Sequence, residues 1–298
     1  MDKNENLDRI TVYLESKLRL LDDKPEENIE STVKALWFKA AEIPVSAEKS
    51  LTLSLPDLSE HQLTYLDELI RQRIENIPLA YITGRQNFMG IEMLSDKRAL
   101  IPRKETELLG KKTFDLIKRM SGSDKKMNIM DVCCGSGNLG ISIAYFNSNC
   151  LVYASDLSQD AVELTRENIT LLNLNHKVIA EQGDMMSAFE NDKFYKSFDL
   201  IVCNPPYISS SKVTKMDIEI SMNEPKIAFD GGMLGTKIIQ KLIHDAPKFL
   251  TEQGWLAFEV GSGQGQFIAQ LCERSGAYSK LETDTDDSGI IRVIAARK

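Results

Sequence analysis

Apolar positions recur at helical spacing through roughly the first eighty residues of the chain. Leu7, Ile10, Val12, Leu14, Leu18 and Leu20 fall mostly three or four residues apart, and Ile29, Val33, Leu36 and Trp37 repeat the pattern, so both stretches are expected as helices. Ser59 with Gln62 has the form of a helix start, and Leu63, Leu66, Leu69, Ile70 and Ile74 then make an apolar stripe that Pro78 is expected to end. A small helical bundle over residues 1–80 follows. Between 79 and 100 the pattern changes to aromatic and β-type residues punctuated by Gly84 and Gly90, which predicts a hairpin linker, assigned to 81–104.

Beyond Thr106 helix and strand patterns alternate as a doubly wound α/β sheet requires, giving a second domain over 105–298. Met127–Val132 is a buried strand candidate that runs into Cys133-Cys134-Gly135-Ser136-Gly137, and a helix over 138–145 follows. A strand over 151–155 ends in Asp156, a helix begins near Ala161, and Val178–Gln182 ends close to Asp184 and Met185. Phe198–Cys203 is a fourth strand and ends at Asn204. The polar candidates therefore gather at the C-terminal ends of strands, the edge where an open parallel sheet binds ligands.

Composition narrows the class. With 42% hydrophobic and 27% charged residues the chain is an ordinary globular one, and its formal net charge of −8 disfavours a protein that grips nucleic acid through its phosphates. A protein or small-molecule partner is expected instead, with the protein a monomer. No apolar run approaches membrane-spanning length, and the polar residues Met1 to Asn6 do not resemble a secretory signal, so a cytoplasmic protein with no membrane partner is expected. Cys133, Cys134, Cys150, Cys203 and Cys272 make neither a disulfide framework nor a metal-ligand spacing, and buried thiols and no metal are expected. His61, His176 and His244 are expected at the surface.

The tetrapeptide Asn204-Pro205-Pro206-Tyr207 fits chemistry on a planar nitrogen. The lone pair of an amide or adenine nitrogen is delocalised, so the nitrogen must be held and polarised before it attacks an electrophilic methyl. The Asn204 oxygen and a backbone carbonyl of the Pro-Pro segment can each accept one hydrogen of an NH2 group, and Tyr207 offers a flat face. A rigid turn is the other reading of the same four residues. Gly135 and Gly137 lie in a strand-to-helix turn where backbone amides can approach a ligand, and Asp156, at the end of the next strand, can accept from ribose hydroxyls. Asp184 is placed to reach an adenine amino group, or to cap a helix. A nicotinamide nucleotide is the rival ligand, but its glycine fingerprint is only loosely met by the run from Gly135 to Gly140. Taken with the tetrapeptide, the turn favours S-adenosylmethionine.

At this point the residues resemble the HemK-type (PrmC) release factor glutamine N5-methyltransferase family, which modifies the glutamine of the Gly-Gly-Gln motif in peptide-chain release factors. The resemblance is carried by Pro78 to Gly84, Phe88 and Leu100 to Glu107; by Glu224-Pro225, Ala228, Gly231-Gly232 and Gly235; and by Glu259-Val260-Gly261, Gln264, Asp287, Gly289 and Arg292-Val293. It implies a Rossmann-like seven-stranded class I methyltransferase domain with a small N-terminal helical bundle that recognises the substrate protein. It also implies that Asn204, Pro205, Pro206 and Tyr207 hold the glutamine amide. Cys133, Cys134, Gly135, Ser136, Gly137, Asp156, Asp184, Met185 and Asn204 would contact the donor, while Phe88 and Arg103 would line the donor pocket or the domain junction. Arg103 also reads as a partner of Glu105, Glu107 or another carboxylate. The chain departs from the family where Gly-Thr is usual and it has Cys133-Cys134; a Cβ there is strained if φ is positive, with weaker donor binding as the consequence. Met185-Met186 replaces a more polar or aromatic stretch. A divergent paralogue acting on another protein, on a nucleic-acid adenine or on a small-molecule nitrogen is the alternative, as is a binding module that has lost activity.

Overall fold

The computed structural model describes residues 3–120 and 125–298, and these fall into two compact units. Met1 and Asp2, with which the polar N-terminal run begins, lie outside the described residues.

The first unit comprises residues up to Lys97, Ile101–Lys104 and Asp217–Glu224. Its helices are Lys3–Lys17, Ile29–Ala40, Ala47–Ser50, Glu60–Ile74 and Leu79–Thr83. Two carry reciprocal caps at their N-termini, Asn28 with Ser31 and Ser59 with Gln62, so the start read at Ser59 is where the helix begins. Ile10, Leu14, Val33, Leu36, Trp37, Leu66, Leu69 and Ile70 are buried in one core. Two details depart from the periodicity. Val12 is exposed, since the stripe of this helix that faces the core is Leu7, Ile10 and Leu14, and Leu18 and Leu20 lie past the helix end at Lys17. The fourth helix stops at Ile74, with Asn76 in the left-handed region at φ 65°, and Pro78 caps the following short helix instead of ending the previous one. That helix occupies Leu79–Thr83, within the stretch expected to be a hairpin, and closes on Gly84 at φ 73°. The hairpin itself is β1 (Arg85–Phe88) paired antiparallel with β2 (Ile91–Leu94).

The second unit is built on a seven-stranded sheet. Its strands are β3 (Met127–Val132), β4 (Cys150–Asp156), β5 (Val178–Gln182), β6 (Phe198–Cys203), β7 (Leu250–Glu259), β8 (Lys280–Thr285) and β9 (Ile291–Arg297). The order is β5-β4-β3-β6-β7-β9-β8, parallel except where β9 runs antiparallel to both β7 and β8. This is a Rossmann-like α/β sheet, with the seven strands that the resemblance implies. The apolar runs read as strands are those of β3 to β6, of which β3 and β6 are buried almost throughout, while edge strand β5 leaves Ile179, Glu181 and Gln182 exposed. The chain steps outward from β3 to β4 and β5, then returns to β6 on the other side of β3. Order reverses between β3 and β6, and their register pairs Val132 with Cys203, so the turn after β3 and Asn204 after β6 leave the sheet side by side.

Candidate active site

Every residue of β6 is buried, and the strand delivers a half-exposed Asn204 at its C-terminal end. The backbone that follows is clamped by glycines. A Cβ on Gly235 would lie 2.2 Å from the Tyr207 carbonyl oxygen, one on Gly231 2.6 Å from the Pro206 oxygen, and one on Gly261 3.0 Å from the Tyr207 ring. No larger residue fits at the first two positions without moving the tetrapeptide. Gln264 Nε2 donates to the Tyr207 carbonyl at 3.0 Å, and Ile208 exchanges backbone hydrogen bonds with Phe229 and Gly231. Segments quoted separately from the sequence thus converge on Pro206 and Tyr207.

A chain of hydrogen bonds joins the two ends of the tetrapeptide. Asn204 Nδ2 donates to Thr106 Oγ1 at 3.0 Å, and Thr106 Oγ1 donates to Glu259 Oε2 at 2.8 Å. The other oxygen of Glu259 accepts from the Tyr207 hydroxyl at 2.9 Å. Thr106 and Glu259 are 1% and 2% exposed. Burial raises the Glu259 carboxyl above its ordinary value, opposed by those two hydrogen bonds and by Arg292 at 3.6 Å. Burial and the Glu259 charge push the Tyr207 phenol well up, so it stays protonated.

The turn after β3 is formed by residues with unusual backbones. Cys133 has φ 58° and Gly135 φ 56°, and Met185, whose sulfur lies 4.0 Å from the Cys133 thiol, has φ 57°. The Cys133 position is thus one that favours glycine. Nothing lies within 4 Å of where a Gly135 Cβ would sit, so the turn has an open face, whereas Gly137 and Gly140 are packed against Thr165, Ile141, Asp131 and Val152. Gly135 N–H donates to Asp156 Oδ2 and Ser158 N–H to Asp156 Oδ1, both at 2.9 Å. A carboxylate has about four lone-pair sites, so Asp156 retains capacity for hydroxyl donors. Two buried polar atoms of this region, Asp131 Oδ1 and Ser136 Oγ, have no partner among the described residues. An open glycine turn, a strand-end carboxylate with spare acceptors and unpaired polar atoms fit a nucleoside donor. Gly140, packed against Asp131 of β3 and Val152 of β4, stands where a dinucleotide turn has its third, helix-packing glycine, so the glycines alone do not separate the two ligands.

The remaining candidates are dispersed. Cys134 is buried, and Asp184 is exposed and paired with Lys241. Phe88 is buried in the first unit, where Arg103 bonds Asp23 at 3.0 Å and Glu224 at 2.6 Å, carboxylates other than its sequence neighbours Glu105 and Glu107. His61, His176 and His244 are exposed. Burial raises the Cys134 and Cys203 thiols, so neither is a nucleophile at neutral pH.

The family model described as methyltransferase small domain matches residues 111–225. Release factor glutamine methyltransferase of Bacillus cereus is 31% identical over 240 residues, 80% of this chain and 83% of that protein. The proteins of the same name from Clostridium acetobutylicum and Thermodesulfovibrio yellowstonii are each 32% identical, over 80% and 82% of this chain and 82% and 84% of their own lengths. The chain belongs to the release factor glutamine methyltransferase family. It is an enzyme of the methyltransferase class. Among solved structures, the catalytic domain of human METTL16 superposes with a TM-score of 0.54 at 14% identity, covering 77% of this chain and 91% of that one, a likeness of fold. Within this family member, Thr106, Glu259 and Asp131 are the residues that a reading of single motifs does not single out. Thr106 and Glu259 lie inside segments quoted for the resemblance, but their contacts with Asn204 and Tyr207 span 98 and 52 residues and leave no local signal.

Proposed function

We propose that this enzyme methylates N5 of the glutamine in the Gly-Gly-Gln motif of peptide-chain release factors, with S-adenosylmethionine as donor. Family membership supports the substrate class, and the curated relatives carry release factor and glutamine in their names. The observation that carries the chemistry is the Asn204 amide: its NH2 end is committed to Thr106, and its oxygen has no hydrogen-bond partner among the described residues. That oxygen accepts one hydrogen of the glutamine amide, and a carbonyl of Pro205 or Pro206 accepts the other, the Tyr207 carbonyl being taken by Gln264.

When bound, S-adenosylmethionine supplies a sulfonium-activated methyl group. Gly135, Gly137, the backbone of Cys133 to Ser136 and Asp156 would hold it, Asp156 through the ribose hydroxyls, with Asp184 and Met185 toward the base. By accepting the two N–H hydrogens, the Asn204 oxygen and the Pro-Pro carbonyl would polarise the N–H bonds, push electron density onto the nitrogen and leave its lone pair facing the methyl. Tyr207, anchored through its hydroxyl, presents a flat face to the planar amide. No strong base is needed, because the nitrogen becomes acidic only on methylation, and its proton then leaves to water or to the Asn204 oxygen. Phe88 and Arg103 belong to the helical unit, which takes part in holding the substrate protein.

The test is transfer of a labelled methyl to purified release factor, followed by mass spectrometry of the Gly-Gly-Gln peptide. Asn204→Ala is expected to lose about 10²- to 10³-fold in rate, the usual consequence of removing one preorganised contact. Asp156→Ala is expected to weaken donor binding about tenfold in calorimetry. Label in DNA adenine with release factor untouched would overturn the substrate assignment.

A further inference from the structure

An asparagine amide has two ends of similar shape and opposite hydrogen-bonding character. Turned one way, Asn204 offers an acceptor to a substrate NH2; turned the other, it offers a second NH2 and repels it. We propose that Thr106 and Glu259 are positioning residues that set which end of the Asn204 amide meets the substrate, a role that rests on the reading of Asn204 given above.

The polarity is fixed from the far end of the chain. An ionised carboxylate only accepts, so Glu259 takes the single hydroxyl proton of Thr106 on Oε2 and that of Tyr207 on Oε1. Thr106 Oγ1 then faces Asn204 with a lone pair, at 3.0 Å. Only the NH2 end of the amide satisfies it. If the amide turned over, its oxygen would face that lone pair, or the Thr106 proton would swing toward it and leave a nearly dry Glu259 oxygen without its donor. The charges facing Glu259 are Arg292 from β9 and Glu105 at the start of helix Thr106–Met120; the first favours the ionised carboxylate and the second opposes it. The same carboxylate anchors Tyr207, so both ends of the tetrapeptide take their orientation from one group.

Glutamine at 259 has the same shape but one acceptor and one donor end. It cannot receive both hydroxyl protons, so Thr106 or Tyr207 must reverse, and the Asn204 amide loses its fixed polarity in part of the molecules. Glu259→Gln and Thr106→Val are therefore expected to lower kcat roughly ten- to a hundredfold, with donor affinity in calorimetry and KM for release factor little changed. Thr106→Ser, which keeps the hydroxyl, is expected to recover most of that loss. In an Asn204→Ala background, where no amide remains to be oriented, Thr106→Val, which leaves the bond from Tyr207 to Glu259 in place, should have little further effect on the rate. Folding is followed by thermal melting, and Thr106→Val and Glu259→Gln stand in for each other if one is unstable. Parental kcat in a folded Thr106→Val or Glu259→Gln enzyme, or full additivity of Thr106→Val with Asn204→Ala, overturns the proposal. A parental rate in Asn204→Ala itself overturns the underlying reading of the amide, and the proposal with it, so the two failures are distinguishable.

Discussion

Cys133 occupies the left-handed region at φ 58°, where a Cβ crowds the backbone at a cost of about 1–2 kcal/mol. Glycine would relieve that strain but would lose more backbone freedom on folding, about 0.5–1 kcal/mol. The two effects nearly offset, so Cys133→Gly is expected to change stability by less than about 1 kcal/mol. Donor binding is a cleaner readout, because the substitution removes the thiol and its contact with Met185 from the turn proposed to hold the donor. The variant should bind S-adenosylmethionine at least as tightly as the parent in calorimetry. Weaker binding by a folded variant would show that the thiol contributes to the site. The position was legible in sequence because a strand running into a glycine turn announces where the backbone must bend. Thr106 was not, since its role comes from a side chain placed beside Asn204 only by the pairing of distant strands and helices.

At the scale of elements, β3 and the helix after it are joined by Asp131, whose Oδ2 accepts the Gly140 N–H at 2.8 Å. Gly140 must lack a side chain, as its Cβ would lie 2.9 Å from that oxygen. Burial pushes the Asp131 carboxyl up to about 7, helped by the charge of Asp156 and opposed by the Gly140 hydrogen bond. The folded value lies above the unfolded value of 3.8, so the native state holds the proton more tightly. The contribution of Asp131 is fully present below about pH 4 and is lost as pH rises through about 7, at roughly 1.4 kcal/mol per unit inside that window. Asp131→Asn should remove this dependence. Urea unfolding of parent and variant between pH 4 and 8 should give curves that diverge, with the variant gaining on the parent as pH rises. Parallel curves would mean that Asp131 titrates normally. Strands β3 and β6 could be placed from their apolar runs, since a parallel strand buried on both faces has no polar alternation to confuse its limits. The helix Leu79–Thr83 escaped the same reading because five residues are too few to show a helical period.

At the scale of the whole molecule, the chain leaves the second unit after Met216, contributes Asp217–Glu224 to the first, and returns at Pro225. Glu219 there accepts from Lys24 Nζ and Arg73 Nη1, both at 2.6 Å, and Arg73 also bonds Glu27 at 3.0 Å, all four side chains being almost fully buried. Burial raises the Glu219 carboxyl, but Arg73 and Lys24 outweigh it and hold the group below its ordinary value. Glu224 accepts the Ile101 N–H and the Arg103 guanidinium in the same unit. No periodicity in residues 1–104 signals that the helical bundle needs two carboxylates from more than a hundred positions away. Removing one partner of a buried pair strands the other charge and costs about 3–5 kcal/mol, a large part of the stability of a small unit. Glu219→Ala in the full chain should therefore lower hydrogen-exchange protection in helices Ile29–Ala40 and Glu60–Ile74, while β3 and β6, in the other unit, keep theirs. Adding Lys24→Met, Arg73→Met and Glu27→Met to that variant should restore much of the lost protection, because no buried charge is then left unpaired and apolar side chains replace buried ion pairs at little or no cost. Unchanged exchange in those two helices after Glu219→Ala would show that the buried charges do not hold the helical unit together.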